Sequence, residues 1–72
     1  MISSKIIIGK KIKILRKQKR FTLDEFAHKL DVDRQYVWKM ENGKKNMTFD
    51  YLDKVINKLG CTHEDFFNLT DN

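Results

Sequence analysis

Apolar residues recur along this chain with the period of a helix, and no segment alternates with the period of a strand. Ile8, Ile12 and Leu15 sit at i, i+4 and i+7, which predicts a first helix over roughly residues 5–18. Thr22 followed by Glu25 spells a capping box: the hydroxyl accepts from the third backbone N–H while the carboxylate reaches back. It opens a second helix with Leu23, Phe26, Ala27 and Leu30 on one face. Asp33 can cap a third helix that stops at Gly43, a glycine suited to the left-handed residue after a helix end. Thr48 caps a fourth, striped by Leu52, Val55, Ile56 and Leu59 and ended by Gly60. Thr62 caps a short fifth that carries Phe66, Phe67 and Leu69. The expectation is an all-α fold: five short helices around one core, residues 5–69, within a single domain spanning 1–72.

Helices two and three are joined by only Asp31 and Val32. Helices on so short a connection cross steeply, and something small must sit where they meet. Ala27 lies four residues before the turn, Val32 lies in it, and Val37 and Met40 face back from helix three. Phe26, Leu30, Val32, Val37 and Met40 then form one buried wedge, the arrangement of a helix-turn-helix.

Composition sharpens this picture mainly through charge. The formal total of +5 hides an asymmetry: residues 1–45 hold 13 Lys/Arg against 5 Asp/Glu, residues 46–72 hold 2 against 5. A basic front suggests a polyanion on one side and a different contact on the other. A compositional origin of the lysines, in a proline-free chain rich in Lys, Ile and Asn, would not explain why the halves differ. One cysteine excludes an internal disulfide, and Cys61 is expected to fill the core. The longest apolar run is Ile6–Ile8, so neither a membrane span nor a signal peptide is expected, and the reducing cytoplasm is the expected location. Cys61-Thr62-His63 lacks the ligand spacing of a zinc site, and nothing points to catalysis, a metal, a cofactor or a small-molecule ligand.

The run IGKKIKILRKQKRFTLDEFAHKLDVDRQYVWKMENGKKNMTFDYLDKVINKLGCTHEDFF, residues 8–67, resembles the phage repressor/Cro-type (XRE-type) helix-turn-helix family. Its segment DRQYVWKMENGKKN is also similar to the small controller proteins of restriction–modification operons. The resemblance implies a lambda-repressor-like DNA-binding domain, with helices two and three as the helix-turn-helix. It also implies a structural ion pair between Arg16, late in helix one, and Glu41, before the helix-three glycine. The sequence departs from the family pattern in three places. Asp31 occupies the turn position that is usually glycine, Arg20 replaces another common glycine, and Leu23 stands where a glutamine often touches phosphate.

On a helical wheel centred on Val37, the side chains of Gln35, Trp38, Lys39 and Asn42 lie on the opposite arc, about 100–200° away. Arg34 stands on the flank at the N-terminal tip. A helix fits the DNA major groove with its first residues reaching furthest in. Arg can take guanine O6 and N7 with both arms, Gln adenine N6 and N7, and an apolar edge such as Trp38 a thymine methyl. By comparison with the family, Arg34, Gln35, Trp38 and Lys39 match the base-reading positions. Three of them have a blander reading: solvated charge for Arg34 and Lys39, a core edge or dimer contact for Trp38. Phosphate contacts are expected to surround the reading helix, from Thr22, Lys29, Tyr36, Asn42, Lys44 and Lys45, with Lys19 or Arg20 also placed to reach.

Tyr51, Phe66, Phe67 and Leu69 offer more apolar surface than so small a core needs, and family members commonly dimerise through this end. The alternative is that Phe66 completes the core and Phe67 caps it. The expected function is a sequence-specific regulator that binds double-stranded DNA as a homodimer on a palindrome-like operator. The alternative is an antitoxin-type module that binds a partner toxin and autoregulates its operon.

Overall fold

The computed structural model describes residues 3–69, which form five helices: α1 (Ser4–Gln18), α2 (Leu23–Leu30), α3 (Arg34–Glu41), α4 (Phe49–Leu59) and α5 (His63–Asn68). Each starts on a residue whose side-chain oxygen accepts from the third helical N–H: Ser3, Thr22, Asp33, Thr48 and Thr62 in turn. At Thr22 the box is complete, because Glu25 also accepts from the Thr22 backbone N–H at 2.8 Å.

The first three helices end alike. A residue in the left-handed region turns the chain, and its own N–H and the next one return to carbonyls of the last turn. At α3 the turning residue is Gly43, with Gly43 N–H to Met40 and Lys44 N–H to Lys39. At α2 it is Asp31 (φ 60°), and at α1 it is Arg20 (φ 64°), both bonded in the same pattern. The two departures from glycine noted in the sequence therefore leave the turn geometry intact and place a side chain where glycine is favoured.

Ile12, Leu15, Phe26, Ala27, Leu30, Val37, Met40, Leu52, Val55, Ile56, Leu59 and Phe66 form one buried cluster. Val32, in the α2–α3 turn, packs half-buried against it. Two features fix α1 against the end of α3. Gly9 is buried where the helices cross: a Cβ there would lie 2.6 Å from the carbonyl oxygens of both Met40 and Glu41, so only glycine allows this approach. One helical stretch further on, Arg16 grips Glu41 bidentately, Nε to Oε2 at 2.6 Å and Nη2 to Oε1 at 3.2 Å, and donates from Nη1 to the Phe21 carbonyl at 2.8 Å. Both residues are buried.

The C-terminal end corrects the expected partner face. Phe66 is wholly inside the core and presents no surface to a second molecule. Tyr51 leans the other way, with its ring packed edge-on to Tyr36 of α3 at a 5.9 Å centroid separation. Phe67 remains half exposed and Leu69 is half-buried. The most exposed large apolar side chain is instead Phe49, the first residue of α4, at 85%.

Candidate nucleic-acid interface

The tip of α3 is where the packing leaves polar groups outside. Val37, Met40 and Glu41 point inward, and the buried sides of α1 and α2 hold them. That rotation turns Arg34, Gln35, Trp38 and Asn42 outward, and Lys39 sits half-buried at the edge. Asp33 accepts the Tyr36 N–H at 2.7 Å, which satisfies one of the unpaired donors of the first turn and leaves the tip well formed up to Arg34. Arg34 and Gln35 make no side-chain hydrogen bond or ion pair among the described residues. Their donors and acceptors stay available to an external partner. Trp38 is 45% exposed, enough to present one edge of the indole while the rest covers the helix.

The residues expected to meet phosphates occupy the flanks of this tip. Thr22 caps α2; its oxygen accepts from the Glu25 N–H at 3.0 Å and its own hydroxyl proton stays free to be donated. Lys29, exposed on α2, holds its ammonium 5.0 Å from the centre of the Phe21 ring. Beyond α3, Lys45 lies 4.8 Å from the centre of the Tyr36 ring, so a cation and a phenol stand together beside α3. Lys44 is exposed on the same connection. Asn42 spends one amide proton on the Trp38 carbonyl at 2.8 Å and keeps the other. Asn42, Lys44 and Lys45 thus follow the C-terminal end of α3, Lys45 reaching back to Tyr36 in its first turn, with Thr22 and Lys29 on the neighbouring helix.

Two parts of this region were not foreseen. The Tyr36–Tyr51 pair continues to Lys54, whose ammonium lies 5.8 Å from the centre of the Tyr51 ring. The Tyr51 hydroxyl is buried without a hydrogen-bond partner, and burial, with Tyr36 adding to it, pushes its pKa up. Gly9 was visible as a lone glycine inside a helical pattern, a signal of close packing, but its neighbour α3 is set only by the tertiary fold. Cys61, half-buried, donates weakly toward the Ile56 carbonyl, and burial raises its thiol pKa; His63 is exposed and pairs with Asp53 at 2.7 Å. No helix among the described residues is long and apolar enough to cross a membrane.

Comparison with known proteins places this geometry. The family model for the helix-turn-helix, HTH_3, matches residues 12–66. The chain is 40% identical over 65 residues to the control protein C.MunI of a Mycoplasma species, covering 89% of this chain and 88% of that protein. Among solved structures, the clp gene regulator ClgR of C. glutamicum superposes with a TM-score of 0.81 at 27% identity, over 86% of this chain and 80% of that one. The restriction–modification controller protein C.Esp1396I, solved as a tetramer with its natural 35 base-pair operator, gives a TM-score of 0.78 at 27% identity, over 86% of this chain and 82% of that one.

Proposed function

The chain belongs to the HTH_3 helix-turn-helix family, and from that membership we propose a regulator of the controller-protein kind, which binds operator DNA as a homodimer and controls transcription by occupying it. The single observation that supports this reading best is the outward tip of α3, where Arg34 and Gln35 are exposed and unbonded beside a basic rim. In the major groove Arg34 donates to a guanine edge and Gln35 pairs with an adenine, each worth about 1–3 kcal/mol of discrimination. Trp38 touches a thymine methyl, and Lys39 reaches the edge of the same groove. Thr22, Lys29, Tyr36, Asn42, Lys44 and Lys45 hold the backbone and set the depth of the helix. A two-fold dimer repeats the helix about 34–36 Å away, one turn of the duplex. The setting in which such a protein works is the cytoplasm, on the chromosome or a mobile element.

Selection from a random oligonucleotide pool tests the assignment. The wild type should enrich a palindrome-like sequence. Arg34→Ala and Gln35→Ala should lose that enrichment, keep weak binding to any duplex, and change stability by no more than about 0.5 kcal/mol. If both variants enrich the same sequence as the wild type, α3 does not read the bases. Lys44→Ala should instead weaken binding to all sequences alike and flatten the log–log salt dependence by about 0.9.

A further inference from the structure

A knob and a hole of matching size lie side by side at the α1–α4 end of the molecule, away from the tip of α3. The knob is Phe49, 85% exposed although it starts a helix whose other large apolar residues are buried. The hole is an open, mostly apolar hollow of about 150 Å³ between the first turns of α1 and α4, lined by Ser4, Lys5, Ile8, Met47, Thr48 and Leu52 and walled on one side by Phe49 itself. A cavity of roughly that volume with an aliphatic lining accepts benzene, so the hollow is the size of one phenyl ring. A ring that forms part of its own hollow's wall leaves that hollow unfilled, but a two-fold axis between two copies can put each ring into the other's hollow. Such self-complementarity is the geometric requirement of an isologous contact.

We propose that the dimer is closed by this reciprocal exchange, Phe49 of each copy seated in the α1–α4 hollow of the other; the inference rests on the homodimer reading above and names its anchor. Charge favours the same arrangement. Asp50 follows the knob and Lys5 stands on the rim of the hole; both are exposed, and neither forms an ion pair among the described residues. Seating the ring brings Asp50 of one copy beside Lys5 of the other. The surface also extends in a useful direction. Lys11, one turn beyond Ile8 on α1, donates to the backbone carbonyls of Phe67 and Leu69, so the last turn of α5 adjoins the wall of the hollow. The half-exposed Phe67 ring can then widen the contact toward the area of about 800 Å² per partner that a stable interface needs.

The test uses the full chain. In a dimer mixed from methyl-labelled and unlabelled protein, isotope-filtered spectra should show contacts between the Phe49 ring and the Ile8, Met47 and Leu52 methyl groups of the other copy. Sedimentation of Phe49→Ala should give a dissociation constant raised at least about 100-fold, with the circular dichroism spectrum of the folded chain unchanged. Ser4→Trp, which fills the hollow from its rim, should do the same. Lys5→Glu should weaken the dimer several-fold, and adding Asp50→Lys should restore it. A wild-type dimer that shows none of these methyl contacts, or a Phe49→Ala dimer within threefold of wild type, overturns the exchange; if Phe67→Asp alone then yields monomer, dimerisation stands and runs through α5. A wild type that sediments as a monomer at every concentration, and fills the operator one copy at a time, removes the homodimer reading together with this proposal.

Discussion

Cutting the Arg16–Glu41 pair from one side should cost far more than removing it altogether. The side chains are only 8% and 2% exposed, so each charge has given up nearly all its water. In Glu41→Met the guanidinium keeps a single partner, the Phe21 carbonyl at 2.8 Å. A buried charge stripped of its counter-ion destabilises a protein by about 3–5 kcal/mol. At about 0.05–0.15 kcal/mol per residue, a chain of 72 residues holds roughly 4–11 kcal/mol in total. One substitution should therefore remove about a quarter of the stability at the least, and at the lower bound most or all of it. Arg16→Met with Glu41→Met fills similar volume without charge, and such replacements of a buried pair are often neutral or stabilising by about 1–4 kcal/mol. Urea unfolding of the wild type, both single variants and the double variant gives the complete cycle, and the expected coupling between the two sites is at least about 2 kcal/mol. The double variant should also still select the wild-type DNA sequence, because the pair touches no base. Single variants within about 1 kcal/mol of wild type would mean that the pair is solvated and that α1 is held to α3 by apolar packing alone.

Gly9→Ala gains about 1 kcal/mol of helix propensity but sets a Cβ 2.6 Å from two backbone carbonyl oxygens that cannot move unless α1 slides. A net loss of about 1–3 kcal/mol is expected in thermal melts, and an unchanged or higher midpoint would refute the close crossing. Arg20→Gly relieves a left-handed arginine at φ 64° and should raise stability by about 0.5–1 kcal/mol, with Asp31→Gly gaining less because Asp tolerates that region better; a loss at both positions would contradict the turn geometry. Tyr51→Phe removes a buried hydroxyl that has no partner, so stability should hold or rise, and a loss above about 1 kcal/mol in urea melts would reveal a bond to that oxygen.

Local rules carried most of the fold, because capping and turning chemistry act within a few residues. Thr22, Asp33, Thr48 and Thr62 each accept from the N–H three residues on, and Gly43 and Gly60 adopt positive φ. The helical stripes on α2 and α4 are the residues that the core buries. The same periodicity misleads at Phe49, whose i+3 and i+7 neighbours Leu52 and Ile56 are buried while it is not. A stripe gives the direction in which a side chain leaves the helix, but says nothing of whether another element covers that first turn. The choice between the two readings of Phe66 stayed open for a related reason. Apolar content at a chain end cannot say which ring the core needs, and here it needs Phe66, while Tyr51 rests against α3 through Tyr36. Gly9 needed knowledge of what lies across from it, and that is a property of the assembled helices alone.

The division between fixed and free groups along α3 bears directly on how it can discriminate. Its far end is clamped by the Gly9 crossing, the Arg16–Glu41 grip and the left-handed turn at Gly43, and its near end by the Asp33 cap and the short turn from α2. In the proposed complex, the backbone that carries Arg34 and Gln35 arrives in the groove already ordered, and binding has to immobilise little beyond those two side chains. A wrong base pair then cannot be accommodated by tilting the helix, because tilting would drag α1 across the Met40 and Glu41 carbonyls. The mismatched site must leave a desolvated donor or acceptor unpaired, at about 1–3 kcal/mol for each. Specificity on this scaffold comes as much from the stiffness behind α3 as from the chemistry at its tip. Loosening Gly9 or the buried pair without unfolding the domain should therefore narrow the gap between right and wrong sequences more than it lowers affinity for the right one.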